Sequence, residues 1–217
     1  MSPVILSPRP LPPPQLEDEN ALAQFLPAPD LVEWMLETFV LTSQLCNPDH
    51  EHLADARIGA LWTNVENVTK GRRVWGTAEK PLPPPGVGKW QRARWRQQMR
   101  EWFPEFDGEL PDFIITIDAT LAMVTDDLTW CAGCEHELYH CAQALDEYGC
   151  PRFTRDERPM FRILGHDAEE FAGVVRRYGV GAAAGGVSEL VAAAAKAPLI
   201  GRVTAELVCG TCGRKAA

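Results

Sequence analysis

The spacing of apolar residues predicts five helices along the chain. Behind Asp30, a residue type that often caps helix N-termini, apolar side chains recur every three or four positions as far as Leu45. This pattern predicts a helix over residues 30–45. The same reasoning predicts four more helices, over residues 89–103, 132–147, 165–178 and 187–196.

Short runs rich in β-branched and aromatic residues predict three strands. Residues 57–62 and 72–77 are separated by a polar stretch, and this arrangement predicts a hairpin or the edge of a meander. The run Phe113–Ile117 is apolar almost throughout and follows Pro111, as is typical of a buried strand. A few strands among more numerous helices predict an α+β fold, in which a small mixed or antiparallel sheet packs on several helices.

The chain has 217 residues, which is enough for one domain with extensions. Six prolines within residues 1–16 predict an extended or disordered arm. We expect residues 17–200 to form the folded domain and residues 201–217 to form a tail that carries two cysteines. The sequence has no run of 18 apolar residues, so we expect neither a membrane span nor a membrane partner.

The charge balance argues against a nucleic-acid partner. The formal net charge is −9, whereas phosphate contacts need clustered basic residues. Residues 89–103 are the exception, because five basic residues there alternate with Trp90, Trp95 and Trp102. Such a helix could stack bases on its tryptophans. We favour packed tryptophans and solvated arginines, since the chain as a whole is acidic.

Seven cysteines, an odd number, and no N-terminal secretion signal indicate a reducing compartment. We therefore expect a cytoplasmic protein. Two pairs have C-x-x-C spacing, Cys131 with Cys134 and Cys209 with Cys212. Together they could hold a second, structural zinc, although the gap between the pairs is far longer than is usual. The sequence leaves this site and the oligomeric state open.

Residues 136–140 read His-Glu-Leu-Tyr-His and carry the sharpest chemical signal. On a helix, His136 and His140 lie four residues apart on one face, so both imidazoles can bind one ion. Neutral imidazole is a ligand that suits zinc. Glu137 lies beside the ion without binding it, where it can take a proton from metal-activated water. This arrangement predicts Zn2+ as the cofactor and Glu137 as the catalytic general base.

A catalytic zinc site needs a third protein ligand and an open fourth position. His166 is the first candidate, because it begins the next predicted helix and only five histidines occur in the chain. Glu170 or Glu169 is the alternative, since both lie on the same helical face as His166. We expect the other two histidines, His50 and His52, to be solvated in a loop.

Three segments carry a resemblance to a known family. His136–Cys141, Gly165–Phe171 and Arg57–Trp62 resemble the phage-type metallopeptidase family, an HExxH group found in bacteriophages and prophages. The resemblance covers roughly residues 55–178. It implies a zincin-like α+β domain whose active-site helix carries HExxH, a single zinc, peptide hydrolysis and a bacterial host cytosol. The arm and the tail lie outside it.

These observations predict a zinc metallopeptidase that hydrolyses a peptide or protein substrate. In this hypothesis Phe113–Ile117 is the edge strand whose free backbone pairs with the substrate. Tyr148, Tyr178 and Arg162 are candidates for a second donor to the oxyanion. Two alternatives stay open: a zinc hydrolase of a non-peptide substrate, and a zinc-stabilised binding module without enzymatic activity.

Overall fold

The computed structural model describes residues 8–17, 22, 24–41, 44–69, 71–166, 187–201, 203 and 209–211. The strands of this part of the chain are β1 (Phe25–Pro27), β2 (Ile58–Thr63), β3 (Val68–Thr69), β4 (Arg72–Arg73), β5 (Gly76–Glu79), β6 (Phe113–Asp118), β7 (Cys141–Gln143) and β8 (Phe161–Ile163). The main sheet has the strand order β1-β2-β6-β5, and β3–β4 and β7–β8 form two separate pairs.

Five α-helices and three short 3-10 helices surround the sheet in the described residues. The α-helices are α1 (Pro29–Phe39), α2 (Lys89–Trp102), α3 (Ala119–Val124), α4 (Asp127–His140) and α5 (Val187–Ala194). The 3-10 helices are Pro14–Leu16, Pro48–Asp55 and Pro104–Phe106. A small mixed sheet with several helices confirms the predicted α+β class.

The sheet is mixed because its two central strands run parallel. β2 pairs with β6 in register from Ile58 opposite Phe113 to Thr63 opposite Asp118. β1 and β5 flank this pair, and each runs antiparallel to its neighbour. The predicted hairpin of residues 57–62 with 72–77 is therefore wrong, since β6 lies between β2 and β5. Arg72–Arg73 pairs with Val68–Thr69 instead.

The prediction that Phe113–Ile117 forms an edge strand is also wrong. All but one of the residues of β6 are buried, and the strand is paired on both sides. A continuous apolar run is the pattern of a strand covered on both faces, which favours an interior position. The outer strands of the sheet are β1 and β5, and β5 is a short strand of small and polar residues that contacts α4.

The core centres on Trp130 of α4. Its ring lies 6.1 Å from Trp34, 5.7 Å from Trp62 and 5.5 Å from Trp75, measured between centroids. Arg9 covers this cluster, with its guanidinium carbon 5.2 Å from the Trp130 ring centroid. Part of the arm predicted to be disordered is thus packed against the domain, because Arg9 also donates to the Thr125 carbonyl at 2.6 Å.

The helix that carries the two motif histidines is earlier in the chain than predicted. It begins at Asp127, where the Asp126 side chain accepts a hydrogen bond from the Thr129 backbone at 3.0 Å, as an N-cap residue does. It ends at His140, since Cys141 opens β7. The pattern predicted residues 132–147 because the apolar positions continue into the hairpin that follows.

The other helices agree with the sequence pattern to different degrees. α2 matches within one residue, and Trp90 on it is 88% exposed. α1 ends at Phe39 rather than at residue 45, and α3 lies in a stretch for which the sequence pattern predicts no helix. The predicted helix over 165–178 lies outside the described residues after His166. Among the described residues, no helix is both long and apolar enough to cross a membrane.

The tryptophan cluster yields a test of the core. Trp130 is 1% exposed, so Trp130→Ala removes a fully buried ring and is expected to cost about 3–5 kcal/mol in the free energy of unfolding. Trp90→Ala is the matched control, because its exposed ring should contribute less than about 0.5 kcal/mol. Urea denaturation measures both. Equal losses in the two variants would contradict this account of the core.

Candidate metal centre

The last two turns of α4 place two imidazoles side by side. His136 and His140 are one helical turn apart, and their Nε2 atoms lie 3.3 Å from each other. His140 is 3% exposed, whereas His136 is half-buried. Burial lowers the pKa of His136, which favours the neutral imidazole that a metal ligand must be.

A short hairpin returns the chain to the end of α4 and delivers His166. β7 and β8 pair antiparallel, and Leu164 follows β8 directly. The Leu164 backbone N–H donates to the His140 carbonyl at 2.9 Å, and the Leu164 carbonyl accepts from His140 Nδ1 at 2.6 Å. Two residues later, His166 Nε2 lies 3.3 Å from His136 Nε2. The hairpin therefore completes a group of three imidazoles.

The spacing of these nitrogens fits a zinc ion. Zinc–imidazole bonds of 2.0–2.1 Å at tetrahedral angles place two ligand nitrogens about 3.3 Å apart. The His136–His140 and His136–His166 pairs both have this separation, 3.3 Å. The bond from His140 Nδ1 to the Leu164 carbonyl fixes the proton on Nδ1, so that the Nε2 lone pair faces the group. The donor set thus suits the predicted cofactor.

Glu137 lies beside the imidazoles and is buried, at 1% exposure. One of its carboxylate oxygens is within 4.8 Å of a ring nitrogen of His136. A methyl group at Gly76 of β5 would lie only 3.3 Å from Oε1, so glycine there gives the carboxylate its room. Burial, followed by the nearby Cys209, raises the pKa of Glu137 to about 8. In the metal-free chain this carboxyl group is therefore mostly protonated at neutral pH.

Of the three candidates for the third ligand, His166 is the one that lies in the described part of the chain. Glu169 and Glu170 lie outside the described residues. His166 is therefore the sequence candidate that the structure brings together with His136 and His140.

The sequence also offered three candidates for a second donor to the oxyanion. Of these, Tyr148 is 82% exposed and Arg162 is exposed on β8, whereas Tyr178 lies outside the described residues.

Cys209 joins the same cluster, and the sequence reasoning did not place it there. Its sulfur lies 3.3 Å from His140 Nε2 and within 4.8 Å of ligand atoms of His136 and Glu137. Cys209 and His140 are 69 positions apart in the sequence, and no periodic pattern connects them. Only the C-x-x-C spacing with Cys212, which lies outside the described residues, marked Cys209 as a metal ligand at all.

The other C-x-x-C pair, Cys131 and Cys134, lies on the face of α4 that packs into the core. Cys134 is fully buried and Cys131 is 4% exposed. Burial raises the pKa of the Cys131 thiol to about 11, which disfavours the thiolate that zinc binds. In the part of the chain that the structure describes, no group of three or more potential ligands includes either cysteine.

His50 and His52 are not the solvated loop residues that the sequence predicts. His50 is 1% exposed and packs against Tyr139, with 4.5 Å between ring centroids. Burial lowers the pKa of His50 to about 4. His52 Nε2 lies 2.7 Å from the Cys141 carbonyl. The two histidines therefore attach the 3-10 helix Pro48–Asp55 to the end of α4 and the start of β7, with His50 buried and His52 half-buried.

The raised pKa of Glu137 predicts how stability depends on pH once metal has been removed. The folded chain keeps Glu137 protonated up to a pKa of about 8, whereas the unfolded chain ionises near pH 4.5. This contribution to stability is complete below pH 4.5 and is lost as the pH rises through 8. Wild-type protein should therefore lose several kcal/mol relative to Glu137→Gln between pH 5 and 9.

Urea denaturation of chelator-treated protein at both pH values measures this difference. Glutamine imitates the protonated side chain at every pH, so the comparison cancels the other titrating groups. Parallel pH profiles for the two proteins would mean that Glu137 is not held in its neutral form.

Comparison with known proteins places the chain in a family. The model of the family described as "Putative phage metallopeptidase" matches residues 24–195, which is well over half of the chain. The matched range contains Glu137 and the three clustered histidines, and it ends before Cys209. No curated protein and no solved structure matches the chain significantly. The resemblance seen in the sequence is thereby confirmed, and the chain belongs to the phage metallopeptidase family.

Proposed function

We propose that the protein is a zinc-dependent peptidase with a zincin-like active site on α4. The observation that carries this proposal is the convergence of three imidazoles, at 3.3 Å between neighbouring Nε2 atoms, beside a buried carboxyl group. His136, His140 and His166 would hold the ion, and Glu137 would be the catalytic residue. Membership of a metallopeptidase family supports the same reaction class.

Zinc, when bound, supplies a water molecule whose pKa is lowered to about 7 and an electrophile that polarises the scissile carbonyl. The chain provides the proton transfers. Glu137 takes the proton from the attacking water on one of its carboxylate oxygens and then passes it to the leaving amine. Its near-complete burial keeps bulk water from that proton, and the charge of a bound ion would favour the ionised carboxylate that accepts it.

The edge of β5 is the surface on which an extended substrate would be positioned. β5 pairs with β6 on one side, and its outer backbone groups can pair with a further extended segment, as those of Gly76 do with residues 209–210. Gly76 on β5 lies against Glu137, which puts this edge next to the catalytic carboxyl group. A peptide added along β5 would therefore bring its backbone carbonyls past the three histidines. We accordingly propose a peptide or protein, rather than a nucleic acid, as the substrate.

Zinc content tests the ligand assignment. Untagged protein should contain one zinc per chain by mass spectrometry, and single alanine variants of His136, His140 and His166 should each hold less zinc than wild-type protein under the same conditions. His52→Gln is the matched control, because His52 lies close to the end of α4 without belonging to the cluster. Full zinc occupancy in His166→Ala would mean that another residue is the third ligand.

Replacement of the proposed base tests the reaction. Glu137→Gln keeps the size of the side chain and the three histidines, so it should retain zinc. It should lower the turnover of a peptide library at least 100-fold, since a general base contributes about 10²–10⁴ to the rate. Mass spectrometry of the cleaved peptides measures the loss. Equal and measurable cleavage by both zinc-loaded proteins would contradict the proposed role of Glu137.

A further inference from the structure

Residues 209–211 lie along the outer edge of β5. Cys209 forms a parallel bridge with Gly76, and the Gly210 backbone N–H donates to the Gly76 carbonyl at 2.7 Å. The Thr211 hydroxyl accepts from the Ala78 N–H at 2.6 Å and lies 3.0 Å from the Ala78 carbonyl. This segment of the chain therefore occupies the backbone edge on which we place the substrate.

The same three residues reach the groups that would perform the chemistry. Cys209 Sγ lies 3.3 Å from His140 Nε2, and Thr211 Oγ1 lies 3.4 Å from Glu137 Oε2. The Thr211 backbone N–H donates to Cys209 Sγ at 3.2 Å, a bond that orients the sulfur toward the histidines. A cysteine sulfur at this position is a fourth donor of a type that zinc binds strongly.

We propose that Cys209 is the fourth ligand of the metal and that residues 209–211 hold the site closed to substrate. The proposal rests on the peptidase function proposed above. Three imidazoles and one thiolate complete a tetrahedral shell, which leaves no position for the attacking water. On binding, the thiol releases its proton to solvent, as ligand cysteines do. The folded chain is thus a latent peptidase, which becomes active when this segment leaves β5.

Gly210 is required for this close approach. A methyl group added there would lie 2.7 Å from Val74 Cγ1 and would also overlap the side chain of Thr77. Either clash forces the segment away from β5, because both neighbours belong to the folded sheet region. Gly210→Ala therefore opens the site in a second way, one that leaves the Cys209 thiol and the three histidines unchanged.

X-ray absorption at the zinc edge tests the ligand assignment on the zinc-loaded full chain. Wild-type protein should show one sulfur at about 2.3 Å together with nitrogen ligands at about 2.0–2.1 Å. Cys209→Ala should lose the sulfur contribution and keep one zinc. Cys150→Ala is the matched control, because Cys150 is an exposed cysteine and its removal should leave the spectrum unchanged.

Peptide cleavage by the same proteins tests the closure. Cys209→Ala and Gly210→Ala should each cleave a peptide library at least tenfold faster than wild-type protein, and adding Glu137→Gln to either should remove that gain. A wild-type spectrum with one zinc and no sulfur would overturn this proposal and leave the proposed function standing. Loss of zinc and of folded structure in both opened variants would also overturn it, since the shell would then be structural.

A different set of results would contradict the proposed peptidase function while leaving the ligand assignment in place. Suppose that wild-type protein shows a sulfur ligand and that Cys209→Ala protein holds one zinc on nitrogen ligands alone. This pair of results supports the assignment of Cys209 as a ligand. If that protein cleaves no peptide, peptide hydrolysis itself is contradicted. Absence of zinc from all of these proteins would overturn both proposals.

Discussion

The two hydrogen bonds between Leu164 and His140 are the constraint on which the rest of the proposed metal centre depends. One joins backbone to backbone and closes the β7–β8 hairpin onto the end of α4. The other fixes the proton of the His140 ring on Nδ1. Together they end the helix at the second motif histidine, orient its ligand nitrogen and bring His166 within reach of His136. A helix that continued past His140 would leave the third imidazole without a position.

A second constraint is the burial of Glu137 between α4 and β5. Its carboxyl group has no room to move toward solvent, because Gly76 and the sheet lie against it. Low exposure raises its pKa, and the same burial would strengthen any charge interaction with a nearby ion. The sheet edge, the helix and the Glu137 carboxyl group are therefore one structural unit, in which Gly76 of β5 gives the carboxyl group its room.

The sequence predicted the parts of this unit that depend on local spacing. His136 and His140 were identifiable because four residues make one helical turn, and His166 because histidines are scarce in the chain. Strand order was not identifiable, because the apolar run of Phe113–Ile117 favours an interior strand without indicating that its neighbours are β2 and β5. Cys209 could not be placed, because its contact with His140 spans 69 positions and depends on tertiary packing alone.

Cys209 belongs to the same chain as the site that it would block, and this covalent connection has a thermodynamic consequence. A ligand joined to its own site competes at an effective concentration on the order of millimolar, whatever the amount of protein present. A free peptide at micromolar concentration is therefore at a disadvantage of about a thousandfold before any difference in contacts is counted. Dilution cannot relieve this competition, whereas cutting or displacing the segment removes it completely. The intrinsic bond between sulfur and metal can accordingly be modest and still keep the site closed.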